Sequence, residues 1–183
     1  VDTILGPEMK STGEVMGVGK SFGEAYVKAQ MGAGERLPRP LKADGTPSGK
    51  VFLTVKNSDK PQAVQIARDL HAMGFGLVAT RGTAASIEAA GVPVQTINKV
   101  TEGRPHIVDA IKNGEIVMVI NTVEERRNAI ADSRQIRTSA LLGRLTTFTT
   151  IAGAEAAVEG MKFMDKLGVI SVQEMHAQLA TSA

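Results

Sequence analysis

Beyond Lys50 the apolar positions fall into short continuous runs, separated by stretches with helical spacing. Val51 to Val55 (VFLTV) reads as a buried strand closed by the polar turn Asn57-Ser58-Asp59. A helix follows with Ala63, Val64, Ile66, Ala67 and Leu70 as its apolar positions, and Pro61 is tolerated in its first turn. Phe75 to Thr80 is the second strand, Gly82-Thr83 opens a short alanine-rich helix ending at Gly91, and Val92 to Ile97 is the third strand. Pro105 to Asn113 predicts a helix, Ile116 to Ile120 the most apolar strand, Ser133 to Leu142 a further helix, and Arg144 to Phe148 a short strand. Thr149 or Thr150 caps a long helix reaching about Leu167, and Val169 to Leu179 closes the pattern. Strands alternating with helices dictate parallel pairing and crossover connections, so the expected fold is α/β: three layers, doubly wound, with about five parallel strands.

The pattern before Lys50 is different. Ser21 and Glu24 have capping-box spacing, Phe22, Ala25, Val27 and Ala29 supply apolar surface, and Gly32 is a natural stop. One helix cannot bury a core alone, so this segment is either the tail of something larger or a strap on the domain that follows. Residues 33–49, with Pro38, Pro40 and Pro47, show neither period and read as a linker. The expected organisation is therefore 1–32, a linker 33–49, and a domain 50–183. The first residue is Val1 rather than Met, which reads as a cut.

Composition narrows the function classes. At 183 residues, 43% hydrophobic and 22% charged, the chain can bury a core. No stretch approaches the roughly 18 apolar residues of a membrane helix and no signal-peptide pattern opens the chain, so no membrane association and a cytoplasmic location are expected. Zero cysteines exclude disulfides, thiolate metal sites and thiol catalysis. Aromatics are 3% with no Trp, and the net charge is +2, with neither half of the chain strongly cationic. A nucleic-acid-binding module is disfavoured on both counts. The three histidines lack paired metal-ligand spacing, so no metal site is expected.

In an open parallel sheet the ligand crevice lies beyond the carboxyl ends of the strands. The residues there are Asn57 to Lys60, Thr80-Arg81-Gly82-Thr83, Asn98-Lys99 and Asn121-Thr122. Singly, each is an ordinary helix cap or a solvated lysine. Together they describe a pocket for a small phosphorylated ligand. Gly82-Thr83 at a helix start offers backbone N–H groups to an anion, and Lys60 and Lys99 add point charges. Walker A and dinucleotide fingerprints are absent from these turns. His106 is the best placed of the histidines for acid–base work, with Glu102 or Asp109 as its only orienters. Glu124 to Arg127 is a self-compensating helix start or a gate beside the pocket.

Several motifs are specific in combination. LGPEMKSTGEVMG (Leu5 to Gly17) resembles the closing segment of the second synthetase half of the carbamoyl-phosphate synthase large chain. ATRGTA (Ala79 to Ala84), NKVTEGRPHI (Asn98 to Ile107), IKNGE (Ile111 to Glu115), INT (Ile120 to Thr122) and ISVQEMHAQ (Ile170 to Gln178) resemble that chain's C-terminal, methylglyoxal-synthase-like allosteric domain. The resemblance implies that residues 1–32 end an ATP-grasp region and that 50–183 form a regulatory domain. It implies a parent ligase that uses ATP with Mg or Mn and works with a glutaminase small chain, while this segment needs no cofactor. It further implies that uridine monophosphate binds as an inhibitor and inosine monophosphate at an overlapping site. Phosphate and ribose contacts then fall on Lys60, Thr80, Thr83, Lys99 and Asn121, beside Gly82 at the helix start, with Thr54 a weaker match. Contact with the preceding synthetase domains and oligomerisation through this domain are implied too. Two positions depart from the family. Val123 stands where a hydroxyl residue is frequent. In the ornithine-linked region Thr149 matches, but Phe148 replaces an acidic residue. The enzyme alternative, a methylglyoxal synthase acting on dihydroxyacetone phosphate, needs a carboxylate base after the third strand, and there the family's Gly-Asp pair reads Gly103-Arg104.

Overall fold

The computed structural model describes residues 15–123 and 127–180. Its centre is a five-stranded, all-parallel sheet made of β1 (Lys50–Thr54), β2 (Gly76–Thr80), β3 (Gln95–Ile97), β4 (Ile116–Asn121) and β5 (Thr146–Phe148), in the order β3-β2-β1-β4-β5. The helices are α1 (Phe22–Gly32), α2 (Lys60–Ala72), α3 (Arg81–Ala89), α4 (Ile107–Lys112), α5 (Arg127–Leu142), α6 (Ile151–Met161) and α7 (Val172–Ala180). The expected α/β doubly wound fold is the one observed.

The side-chain alternation of the strands sorts the core into two layers. Val51, Leu53, Leu77, Ala79, Met118 and Ile120 meet α2, α3 and α6 on one face. Phe52, Val78 and Val119 meet Ile107, Ala110 and Ile111 of α4 and Ile136 and Ala140 of α5 on the other. With Val51, Phe52 and Leu53 all fully buried, β1 is covered on both sides, which is why its sequence reads as a run rather than an alternation. In α2 the buried positions Ala63, Ile66, Ala67 and Leu70 follow the i, i+3, i+4, i+7 stripe. The helix then ends on Gly74 at φ +98, a left-handed position that turns Phe75 back to donate to Leu70 O at 3.0 Å and start the next strand.

Several boundaries differ from the sequence reading, most by one or two residues and three by more. The third strand starts at Gln95 rather than Val92, because Pro93 removes a ladder donor. α5 begins at Arg127, six residues before Ser133. α6 is capped by Thr150, whose hydroxyl accepts from Gly153 N at 3.2 Å, and it stops at Met161 rather than near Leu167. Beyond that point the N–H groups of Lys162 and Phe163 bond to Glu159 O and Gly160 O, tightening the chain into i→i−3 turns.

The leading segment is attached to the domain. Ser21 caps α1 by accepting from Glu24 N at 3.3 Å, while the Glu24 carboxylate reaches Lys20 N at 2.9 Å and Lys28 Nζ at 2.8 Å. Its carboxyl is held below the usual range first by the Lys28 bond and then by that of Lys20. α1 lies on α6 at two glycines. A Cβ at Gly23 would sit 2.7 Å from the Phe163 ring, and one at Gly160 would sit 3.3 Å from Tyr26 and Val27. Val27 is fully buried there with Ala154, Ala157 and Val158. Residues 33–49 carry no strand of the sheet, yet they are stitched down. Leu37 is buried, Arg36 O accepts from Thr146 Oγ1 at 2.9 Å, Arg39 pairs with Asp165, and Leu41 bridges Pro47 across a turn at Gly45. Residues 1–14, with most of the Leu5–Gly17 motif, lie outside the described residues.

The close approach at Gly23 predicts that Gly23→Leu forces α1 off α6 and costs about 1–3 kcal/mol. Urea unfolding should show a lowered midpoint, whereas Val169→Ser, at a fully exposed position, should leave the midpoint within experimental error.

Candidate functional site

The strand order places β1 between β2 and β4, so successive connections leave β1 in opposite directions and a crevice opens beyond its carboxyl end. Each strand delivers polar residues to that crevice. After Thr54 the chain runs through Val55 and Lys56 into a single 3-10 turn (Asn57–Asp59) and directly into α2, whose first residue is Lys60. β2 passes into α3 with no intervening loop, so Thr80 is the last strand residue and Gly82 and Thr83 lie in the first helical turn, where backbone N–H groups have no intrahelical acceptor. β4 ends in Asn121, followed by Thr122. After β3, Asn98 bridges His106, and Lys99 leads into the 3-10 turn Val100–Glu102.

These residues surround one open cleft of about 240 Å³. It is lined by Thr54, Lys60, Thr80, Gly82, Thr83, Lys99 and Asn121, all seven of the nucleotide-site candidates taken from the sequence, together with Lys56, Asn57, Thr122, Val123, Ser133 and Ile136. No carboxylate is among the described lining residues. Two described acidic groups nearby are already engaged. Asp59 is buried and lies 3.8 Å from Lys56 Nζ, and Glu102 accepts from Lys99 N at 2.9 Å within its own turn. Among the described residues, Lys60 and Lys99 carry no carboxylate partner, and with the start of α3 and several hydroxyls they line a cleft that suits an anion.

The hydroxyl groups are already structural. Thr83 Oγ1 accepts from Val55 N at 3.2 Å and Thr122 Oγ1 from Lys56 N at 3.0 Å, so the loop after β1 is held from both neighbouring strand ends. Thr80 Oγ1 donates to Thr54 Oγ1 at 3.1 Å beneath it. Asn121 is buried and its Nδ2 donates to Ser133 Oγ at 2.9 Å, while its backbone carbonyl accepts from Arg137 at 3.3 Å. Gly82 has no left-handed backbone requirement. A Cβ there would stand 3.8 Å from Lys60 Nζ, so the missing side chain leaves the first turn of α3 open beneath the Lys60 ammonium.

Lys56 and Ser133 were not singled out from the sequence. Lys56 sits two residues past a strand end and reads as a solvated lysine, and Ser133 lies in a helix twelve residues after Asn121. The signal for Ser133 is its spacing with Ile136 and Ala140, which marks the buried stripe of α5.

Thr149 is placed elsewhere. It lines a second cavity, of about 480 Å³, with Gln30, Glu35, Arg137, Leu141, Leu145 and Phe148. His106 also lies outside the cleft lining. It is buried, with its N–H donating to Asp109 Oδ2 at 3.1 Å and its Nδ1 3.1 Å from the same oxygen. The Asp109 carboxyl is held below the usual range chiefly by that backbone donor, with Arg104, His106 and Lys112 adding positive charge. The backbone bond to Asp109 pins the start of α4, while the buried imidazole Nδ1 has no hydrogen-bond partner among the described residues. Glu124 to Arg126 of the suggested gate lie outside the described residues. Among the described residues no group of three or more His, Cys, Asp or Glu is placed to hold a metal ion, and no helix is long and apolar enough to cross a membrane.

Comparison with known proteins agrees with the motifs. Residues 62–149 match the family described as the MGS-like domain. Over 179 residues, 98% of this chain, it is 60% identical to the carbamoyl phosphate synthase large chain of Ralstonia nicotianae, 58% to that of Neisseria meningitidis serogroup A and 56% to that of Pseudomonas putida. In each case it spans only 16% of the relative's length. The chain is thus similar over almost its whole length to one segment of carbamoyl phosphate synthase large chains, and its residues 62–149 match the MGS-like domain family.

Proposed function

We propose that the strand-end cleft binds a nucleoside monophosphate and that the chain is a regulatory, non-catalytic segment of a cytoplasmic carbamoyl-phosphate synthase. The longer enzyme would be a ligase that uses ATP with Mg or Mn, takes ammonia from a glutaminase small chain, and serves arginine and pyrimidine synthesis. The observation that carries the ligand reading is the convergence of Lys60, Lys99 and the open first turn of α3 on one carboxylate-poor cleft. The ligand phosphate sits over Gly82 and Thr83 against the two ammonium groups. Asn121, at the far side, meets the ribose or base. Uridine and inosine monophosphates are the effectors that the family resemblance suggests. Thr149, beside the second cavity, is the residue through which an ornithine response would act, with Phe148 weakening it. Contacts with the synthetase domains and with further copies of the chain belong to the same reading.

Binding at this cleft changes the longer enzyme only through differential affinity for two packings of the domain, a coupling typically about 1–3 kcal/mol. None of the described lining residues is a carboxylate that could abstract a proton from dihydroxyacetone phosphate.

Titration calorimetry with uridine and inosine monophosphates should give saturable binding of at least one at sub-millimolar concentration. Lys99→Ala and Lys60→Ala should each weaken it about 10- to 100-fold, the worth of a charge-assisted hydrogen bond. Binding of neither nucleotide removes the assignment. Because the recognition is largely ionic and the cleft is open, raising the salt from about 0.05 to 0.5 M should weaken binding of the wild-type chain progressively. A salt-independent affinity would contradict a phosphate held by Lys60 and Lys99.

A further inference from the structure

Arg137 reaches in two directions from α5. One guanidinium nitrogen donates to the Asn121 carbonyl at 3.3 Å, at the edge of the strand-end cleft. The same side chain lines the second cavity together with Gln30 in the last turn of α1 and Glu35 just beyond it. Its Nε is buried and has no hydrogen-bond partner among the described residues. Arginine presents a planar fork of donors that favours paired contacts with a carboxylate, so a single long bond with a bare Nε is an incomplete use of it. Asn121 is held by α5 twice, through its amide on Ser133 and its carbonyl on Arg137, and these two residues are spaced i, i+4 on one helix face.

We propose that Arg137 is a positioning residue that couples occupancy of the strand-end cleft to the segment at the end of α1. This rests on the nucleotide reading above. A ligand that takes the Asn121 amide competes with Ser133 and loosens the end of β4 from α5. Arg137 then gives up its long bond to the Asn121 carbonyl and turns its fork to Glu35, satisfying Nε and a terminal nitrogen together. Glu35 N donates to Gln30 O at 2.9 Å, so a pull on Glu35 acts on the last turn of α1. The bistable element is a single guanidinium with an acceptor on either side.

Hydrogen exchange of the backbone amides in residues 30–36, with and without saturating uridine or inosine monophosphate, tests this, with calorimetry confirming saturation. In the wild-type chain nucleotide should slow exchange there about fivefold or more. Arg137→Met and Glu35→Gln should each still bind nucleotide and lose the slowing. A purely structural role for Arg137 would shift exchange equally with and without ligand. Glu35→Gln changes a side chain outside the cleft, so the test does not depend on the fold tolerating the loss of Arg137. Slowing retained in either variant overturns the proposal, as does wild-type binding with no change at 30–36. Absence of binding to the wild-type chain overturns the nucleotide reading, and the coupling with it.

Discussion

The pairing of β1 with β4 is the constraint from which the rest of the molecule follows. The chain lays β2 and β3 on one side of β1 and then returns to its other side, with Thr54 in register with Asn121. One further bond, from Thr122 N to Thr54 O at 3.0 Å, extends the contact beyond the regular ladder. Because β1 is buried on both faces, this pairing cannot slip without moving apolar side chains to the wrong layer. The ends of β1, β2 and β4 are therefore fixed together, and their polar residues share one space by topology rather than by any sequence proximity.

That space is shaped by residues serving two purposes. The threonine hydroxyls accept hydrogen bonds from the loop after β1, which holds the loop in place before any ligand arrives. Among the described residues, the ammonium groups of Lys60 and Lys99 hold no part of the cleft by a hydrogen bond. Binding therefore needs little reorganisation of the backbone, and the ordering cost falls mainly on flexible lysine stems. Asn121 differs, because its amide already has a buried partner in Ser133. Any ligand using it must compete, which makes it the residue most able to report that the cleft is filled.

Much of this was legible in the sequence. β1 and β4 stand out because strands covered on both faces must be apolar throughout, and the helices between them carry a regular stripe. Six of the candidates follow from asking what ends each strand and Thr54 from the resemblance, and all seven line one cleft. What was not legible depended on contacts distant in sequence. α6 stops early because the chain turns at Lys162 and Phe163, placing the Phe163 ring against Gly23, more than a hundred residues upstream. Ser133 and Arg137 lie within a helix and show no local sign that Asn121 is their partner. Pro93 did offer a signal that the third strand starts late, since a proline cannot join the ladder on its donor side.

The contact of α1 with α6 also defines how the chain carries load. A tether between two bodies transmits little force until it is drawn straight. Here residues 33–49 are pinned at Leu37, Arg36 and Arg39, and α1 is seated on α6 at Gly23 and Gly160. A displacement applied ahead of α1 therefore meets a shear contact against the layer that covers β1, not a slack cord. The compositional boundary near residue 49 is therefore not a mechanical one, because α1 is packed on the domain that follows it.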